Sequence, residues 1–275
     1  MNRTIAVDPW ENVEIPAAHA IQGRTYPFAQ WWNGQKAFQR VHPVLGSGGW
    51  AIPVEQLAGI VDTVPWTASE LPHKDGSSTE AYLAPELYLA VLATRFAWVM
   101  RGQRGLVVLP EYVEGAKGKT QALCAVRGLT LTVPLMVTLS GMASRHFGQV
   151  LRAFRQQIIA PATSVARKAF PMYAFWMPVK AGPSVNVGQN GKQSPITPPI
   201  AGWDPEQLKD PARRRDILRS LFVGQDVIDF CATHWDESQR WAEAQKPQST
   251  LTVEDPAADI AQELPPPMEE DEIPF

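Results

Sequence analysis

The sequence predicts a mixed α+β protein that is mainly β: an OB-fold-like, five-stranded barrel with added N-terminal strands, a C-terminal helix and a disordered acidic tail. Apolar runs rich in aromatic and β-branched residues fill residues 85–139. An amphipathic helical pattern and a second pair of strand-like runs follow, up to residue 203. Three strands, a helix and two strands is the element order of that barrel.

The 275 residues divide into three regions by composition. Residues 1–24 are an irregular arm, residues 25–246 are one folded domain, and residues 247–275 are a disordered tail. Within the domain, residues 25–60 are dense in aromatics and glycine and are expected to add strands or to cover a sheet edge. Residues 63–80 lack periodicity, which indicates a loop with its turn at Asp75-Gly76.

The strands of the barrel are predicted from apolar runs separated by turn residues. The run from Leu87 to Met100 is long enough for a buried helix, but its aromatic and β-branched content and the β pattern after it favour a strand. Leu106–Leu109 is a short apolar run. Gln121–Val126 and Val133–Leu139 are separated by Gly128, which suggests antiparallel neighbours.

A helix is predicted next, capped by the segment Ser140–Ser144. Its apolar face repeats at helical spacing and ends near Pro161, which interrupts or terminates the helix. That face consists of Phe147, Val150, Leu151, Phe154 and Ile158.

The C-terminal half of the domain is expected to hold a second β pair and a last helix. Met172–Val179 and Ser194–Ile200 are the predicted strands, joined through a turn at Asn190-Gly191. The last helix runs from Pro211 to about Lys246.

Charge is distributed unevenly along the chain. Of the 28 acids, eight lie in residues 251–275, which contain no Lys or Arg; residues 1–250 therefore carry 20 acids and 25 bases, a net +5 against −8 for the tail. A basic body with an acidic tail suits a polyanion binder whose tail competes for its own groove. A net +5 over 250 residues is mild, however, and many proteins of other functions carry as much.

Enzyme and membrane signatures are missing from the sequence. The five histidines are scattered, and neither a metal-ligand motif, a nucleotide phosphate loop nor a nucleophile elbow occurs. No apolar run is long enough for a transmembrane helix, and residues 1–8 lack the apolar core of a signal peptide. Cys124 and Cys231 are interpreted as reduced core cysteines. We therefore expect a cytoplasmic protein that is not an enzyme, with no cofactor, metal or membrane partner.

Single-strand binding needs aromatic faces for stacking and cations for phosphates, and several segments combine the two. For each aromatic alone, core packing is the commoner explanation. Gly115–Thr120 is interpreted as a basic turn, and Arg213–Arg215 is either a phosphate contact or a solvated charge run. The candidate ssDNA-binding residues are Trp31, Trp32, Lys36, Arg40, Arg95, Trp98, Arg101, Arg104, Lys117, Lys119, Tyr173, Phe175, Trp176 and Lys180.

The last residues of the chain carry a family resemblance. Four acids, Glu269 to Glu272, precede Ile273-Pro274-Phe275, and this tip closely resembles the C-terminal peptide of bacterial and phage single-stranded-DNA-binding proteins (SSB). The resemblance implies that replication and repair proteins bind Asp271, Glu272, Ile273, Pro274 and Phe275.

The body resembles phage and mobile-element OB-fold ssDNA-binding proteins, in which a helix is followed by an aromatic strand such as Tyr173–Pro178. It is far longer than ordinary bacterial SSB, so oligomeric state and DNA path do not transfer, and a homo-oligomer stays open.

The function that follows from these observations is non-enzymatic binding and protection of single-stranded DNA in replication, recombination or repair, at the nucleoid. Two alternatives remain. One is an adaptor or mimic that displays the tip without binding DNA, and the other is a strand-annealing recombination protein.

Overall fold

A computed structural model of the protein describes residues 26–33, 42–54, 66–72, 78–102, 105–109, 112–187 and 194–244. Its strands are β1 (Phe28–Asn33), β2 (Gly48–Pro53), β3 (Thr67–Pro72), β4 (Ser78–Ala84), β5 (Glu86–Gly102), β6 (Gly105–Leu109), β7 (Lys117–Val126), β8 (Leu135–Ser140), β9 (Met177–Ala181), β10 (Val185–Val187), β11 (Ser194–Ile196) and β12 (Pro199–Ala201). Its α-helices are α1 (Gly141–Phe154), α2 (Ala160–Ala166), α3 (Pro211–Leu221) and α4 (Gln225–Glu243).

Ten of the strands form one sheet in the order β12-β9-β5-β7-β8-β1-β2-β4-β3, with β6 paired to β5. Strands β5, β7 and β8 are successive antiparallel neighbours, and β9 returns after the helices to lie beside β5. The spatial order β9-β5-β7-β8 is that of a Greek key. β12 pairs with β9, so these five strands of residues 85–203 lie side by side.

The N-terminal strands extend this sheet at β8. β1 pairs with β8 in parallel and with β2 in antiparallel orientation, and β4 and β3 follow. The mixed α+β class is confirmed. Among the described strands, β12 and β3 each have one partner in the sheet, so the sheet is open and a closed five-stranded barrel is not what these pairings form.

The predicted loop over residues 63–80 is wrong, because β3 and the start of β4 occupy half of it. They pair from Thr67↔Leu83 to Pro72↔Ser78. β3 lies at the edge of the sheet, where Thr67, Ala68 and Glu70 are exposed. An edge strand that buries little has a weak apolar period, so the sequence shows none. The expected Asp75-Gly76 turn lies outside the described residues, as does the Asn190-Gly191 turn.

The apolar face of α1 packs on one face of the sheet, as predicted. Phe147 and Phe154 are fully buried, and the Phe147 ring lies 6.3 Å from that of Trp50 on β2. Pro161 does not end the helical segment. A π-helical turn at Arg155–Ile159, in which the Ala160 N–H donates to the Arg155 carbonyl, precedes α2. The wider turn accommodates the proline ring and its missing donor.

The predicted last helix is two helices, α3 and α4, separated at Phe222–Gly224. Gly224 has φ +86°, which a non-glycine residue rarely adopts. α4 crosses the sheet face opposite to α1: Arg95 binds α4, whereas Thr120 binds α1 through Ser144, and strand alternation places Arg95 and Thr120 on opposite faces.

The predicted strand Met172–Val179 is shorter than expected. Residues Met172–Ala174 form a 3-10 turn, and β9 begins only at Met177. The Trp176 N–H donates to the Leu221 carbonyl at 2.7 Å rather than to a sheet neighbour. The side chains of Tyr173, Phe175 and Trp176 therefore do not alternate between the two faces of the sheet, because alternation requires an extended strand.

The packing of α1 on the sheet predicts how much stability Phe147 contributes. Replacing it with alanine leaves a cavity beside Trp50 and should lower the free energy of unfolding by about 3–5 kcal/mol. Urea denaturation would measure this. Gln149→Ala on the exposed side of α1 is the control, with an expected change within about 0.5 kcal/mol. Equal effects of the two changes would contradict the packing.

Candidate nucleic-acid interface

An exposed aromatic cluster lies at the C-terminal half of β5. It consists of Phe96, Trp98 and Met100, which alternation places on one face of the strand, together with Tyr112 from the segment before β7. The Phe96 and Trp98 rings are 5.0 Å apart, and the Trp98 and Tyr112 rings are 4.9 Å apart. Phe96 is 43% exposed and Tyr112 is 58% exposed. Three edge-packed rings therefore present apolar faces to solvent.

Gly118 is the part of β7 against which this cluster lies. It pairs with Trp98 across the strands. A Cβ at this position would be 2.5 Å from Cζ of Phe96 and 3.3 Å from Cζ3 of Trp98. The two rings therefore rest directly on the backbone of β7, and only glycine permits that approach.

Lys117 and Lys119 flank Gly118 on the same strand. Their cross-strand partners are Val99 and Ala97, so the two side chains project from the face opposite to the aromatic cluster. Burial, and next the charge of Lys117, lower the pKa of Lys119. The end of β5 and β7 thus has aromatic rings on one face and ammonium groups on the other.

Arg95 is part of the fold rather than an available cation. Its Nε donates to Oε1 of Gln121 at 2.8 Å, one terminal nitrogen donates to the Trp241 carbonyl at 3.2 Å, and its guanidinium lies 3.9 Å from the centre of the Trp241 ring. Burial lowers its pKa to about 10. Tyr26 packs edge-on against the same tryptophan, so Arg95 fastens α4 to the sheet.

Trp31 and Trp32 point to opposite faces of β1, as expected for neighbours on a strand. Trp31 packs edge-on against Trp50 at 5.0 Å and donates its Nε1–H to the Thr197 carbonyl at 3.0 Å, which makes it part of the core. Trp32 is half-buried on the other face, with its ring 5.6 Å from that of His42.

The candidates in the C-terminal half of the domain are dispersed. Phe175 is 4% exposed and Trp176 is 6% exposed, so neither ring offers a face to a base. Tyr173 is half-buried, 5.4 Å from the Trp235 ring. Lys180 is exposed and lies opposite Glu86 across β5 and β9. Burial raises the pKa of the Glu86 carboxyl, and the charge of Lys180 offsets part of that rise.

The remaining candidates cannot be placed. Lys36, Arg40 and Arg104 lie outside the described residues, as do the tail and its tip residues Asp271, Glu272, Ile273, Pro274 and Phe275. Arg101 is the residue before the end of β5, and its side chain is outside the described part.

Phe96, Met100 and Tyr112 are not among the binding residues predicted from the sequence. The i, i+2, i+4 spacing of Phe96, Trp98 and Met100 is visible in the sequence and indicates one strand face. Whether that face is covered depends on α1, which reaches only as far as Thr120, opposite Phe96. The exposure is therefore a tertiary property.

No family model, curated protein or solved structure matches the chain. Within the described ranges, no group of three His, Cys, Asp or Glu side chains could hold a metal ion. No helix in that part of the chain is long and apolar enough to cross a membrane.

The contact of the two rings with Gly118 gives a direct test of the cluster. Gly118→Ala should displace Phe96 and Trp98, change the near-UV circular dichroism and alter stability by less than about 1 kcal/mol, because rings at the surface can turn away. Gly148→Ala in α1, where an added Cβ meets nothing within 4 Å, should instead stabilise by about 0.5–1 kcal/mol without a spectral change. An unchanged spectrum for Gly118→Ala would refute the packing.

Proposed function

We propose that the protein binds and protects single-stranded DNA without catalysing a reaction, in the cytoplasm at the nucleoid. The observation that carries the proposal is the aromatic cluster of Phe96, Trp98, Met100 and Tyr112, exposed at one end of the sheet. A cluster of large apolar side chains that is exposed to solvent is unfavourable unless a ligand covers it.

Stacking is the interaction that such a cluster offers. The edge-on packing holds Phe96, Trp98 and Tyr112 in fixed orientations, so little side-chain entropy is lost when a base lies on an outer ring face. Base–aromatic stacking contributes about 1–3 kcal/mol per base and tolerates any sequence, because every base has a π-face. The cluster thus favours sequence-independent binding of unpaired bases.

The position of the cluster in the fold supports the same proposal. OB-folds bind oligonucleotides on the face of their second and third strands and on the loops that follow the first and fourth strands. If β5, β7, β8, β9 and β12 are the five strands of an OB-like unit, Tyr112 lies in the first of these loops. Lys117 and Lys119 lie on the second strand and project from its other face, so in this arrangement the rings and not these lysines make the first contact with DNA.

Tyr112 provides the cleanest test, because its exposure makes it dispensable for folding. Tyr112→Ala should weaken binding of a fluorescent oligo-dT about 5- to 150-fold, the loss of one stacked base, with an unchanged melting temperature. Phe222→Ala removes another exposed ring (44%, against 58% for Tyr112) that follows α3 and packs against Phe175, and it should leave affinity unchanged.

Fluorescence anisotropy at low salt would measure both variants. Wild-type protein that shows no affinity for oligo-dT, with or without residues 251–275, would contradict the proposal and favour an adaptor that only displays its tip. Acceleration of pairing between complementary strands would extend the proposal to strand annealing.

We further propose that the tail has two separable roles: its carboxylates compete with DNA, and its tip recruits replication or repair proteins. Deleting residues 251–275 removes eight carboxylates and should tighten ssDNA binding at low salt, with little difference at high salt because screening weakens tail–body attraction. Equal affinity at low salt would contradict the competitor role.

Deleting Phe275 alone should leave DNA affinity nearly unchanged and abolish recruitment of the partner, because it removes the ring and displaces the terminal carboxylate. A pull-down of SSB-tip-binding proteins would measure recruitment. Partner binding that survives the loss of Phe275 would overturn the role of the tip.

A further inference from the structure

Residues 115–203 contain ten Lys or Arg and no Asp or Glu. Strands β7, β8 and β9 and both helices α1 and α2 lie in this stretch, which makes it an acid-free part of a chain that is acidic overall. An unbroken run of one sign of charge repels itself and weakens the compact state. Such an arrangement calls for an anionic ligand to offset the repulsion.

The exposed side of α1, the π turn that follows it and the two residues after α2 carry five of these charges, and we call this surface the basic helix face; α2 itself contains no charged residue. All of its charged members are cations, and glutamines lie between them, a combination that binds phosphate oxygens without reading bases. The face consists of Arg145, Gln149, Arg152, Arg155, Gln156, Arg167 and Lys168, all exposed. It extends about 33 Å from Arg145 to Arg167, at 1.5 Å per residue.

The cations of the neighbouring helix α3 are arranged differently. There Arg213 lies 3.7 Å from Asp210 and Arg219 lies 3.7 Å from Asp216, at i, i+3 spacing. Two of the four arginines of α3 are therefore paired with a carboxylate on the same helix or at its cap. On the basic helix face no arginine or lysine is paired with a carboxylate of the described residues, so its positive potential is not neutralised within that part of the chain.

Arg167 occupies a backbone position that does not favour arginine. It ends α2 in the left-handed conformation, with φ +52° and ψ +32°. Glycine or asparagine adopts this conformation more readily, so arginine here reduces stability. A strained backbone conformation at an arginine indicates that the charge of Arg167 has a function.

The basic helix face begins beside the aromatic cluster. Thr120, the cross-strand partner of Phe96, is hydrogen-bonded to Ser144 through their hydroxyl oxygens, and Arg145 is the next residue of α1. A single strand that stacks on Phe96 and Trp98 therefore reaches Arg145 without crossing an acidic residue of β7 or α1.

We propose that the basic helix face binds the phosphodiester backbone of the same single strand of DNA beyond the aromatic cluster, which lengthens the footprint along α1 and α2. This inference rests on the proposed function and specifies the path of the strand. Stacking anchors one end of the DNA, and the helix face holds the rest by charge alone, without base contacts.

Salt dependence on two oligo-dT lengths tests the path in the full chain. Arg145→Ala/Arg152→Ala should lower the slope of log affinity against log salt by about 1.4 for a long oligonucleotide, since each phosphate contact of single-stranded DNA contributes about 0.7. Binding of an oligonucleotide of about four nucleotides, enough for the aromatic cluster only, should be unchanged. Arg213→Ala/Arg219→Ala removes the same charge from α3 and should leave both measurements close to wild type.

Arg167→Gly separates recognition from folding, because the two effects have opposite signs. It should raise the melting temperature by relieving the left-handed strain, and it should lower the salt slope on the long oligonucleotide by about 0.7. An unchanged slope for both basic-face variants overturns the path, while the Tyr112 result still decides the proposed function by itself.

Two further outcomes also count against the proposal. A slope change that disappears when residues 251–275 are deleted would mean that the face binds the acidic tail instead of DNA. Competition by duplex DNA as strong as by oligo-dT would mean that the face does not select a single strand.

Discussion

The long strand β5 is the constraint on which the rest of the structure depends. One of its edges pairs with β7, and the other pairs with β9 near the start and with β6 near the end. Its alternation then decides which side chains meet α1 and which meet α4. On one face α4 binds β5 at Leu92 and Arg95, and Ala97 and Val99 beyond them are buried. On the other face α1 reaches the level of Phe96 through Thr120 and Ser144, and Phe96 and Met100 are exposed. The exposed end of β5 is where the aromatic cluster forms.

Neighbouring residues on this strand have unrelated roles because they point to opposite faces. Arg95 is held by Gln121 and by Trp241 and stabilises the contact with α4, whereas the next residue, Phe96, faces solvent. Arg95 and Trp98 look like one aromatic and cationic motif in the sequence. In the fold, Arg95 is held by Gln121 and Trp241. Of the two residues, Trp98 on the opposite face is the one that a ligand can contact.

The elements that sequence predicts correctly are those whose pattern reflects heavy burial. β5 and the α1 face of Phe147, Val150, Phe154 and Ile158 bury large side chains, so their periods are strong. β3 is an edge strand with little to bury, and the π turn before Pro161 and the break at Gly224 depend on local backbone geometry. The burial of Phe175 and Trp176 is set by Phe170, Phe222 and Leu221, which lie close only after α3 has docked. For the candidate site, residue type was predictable, but exposure was not.

The positions of the charges, like the exposure of the rings, cannot be read from the sequence totals, because a net charge does not show where the charges lie in space. The +5 of residues 1–250 is the balance between ten unopposed bases in residues 115–203 and an excess of acids elsewhere: 15 Lys or Arg against 20 Asp or Glu. In α3, by contrast, Arg213 and Arg219 each form an ion pair with an aspartate three residues earlier. The face of α1 and α2 has no such partners, and Arg167 keeps its charge at the expense of backbone strain. Like charges gathered in this way repel one another within the described residues, and the DNA backbone that we propose as the ligand would offset that repulsion.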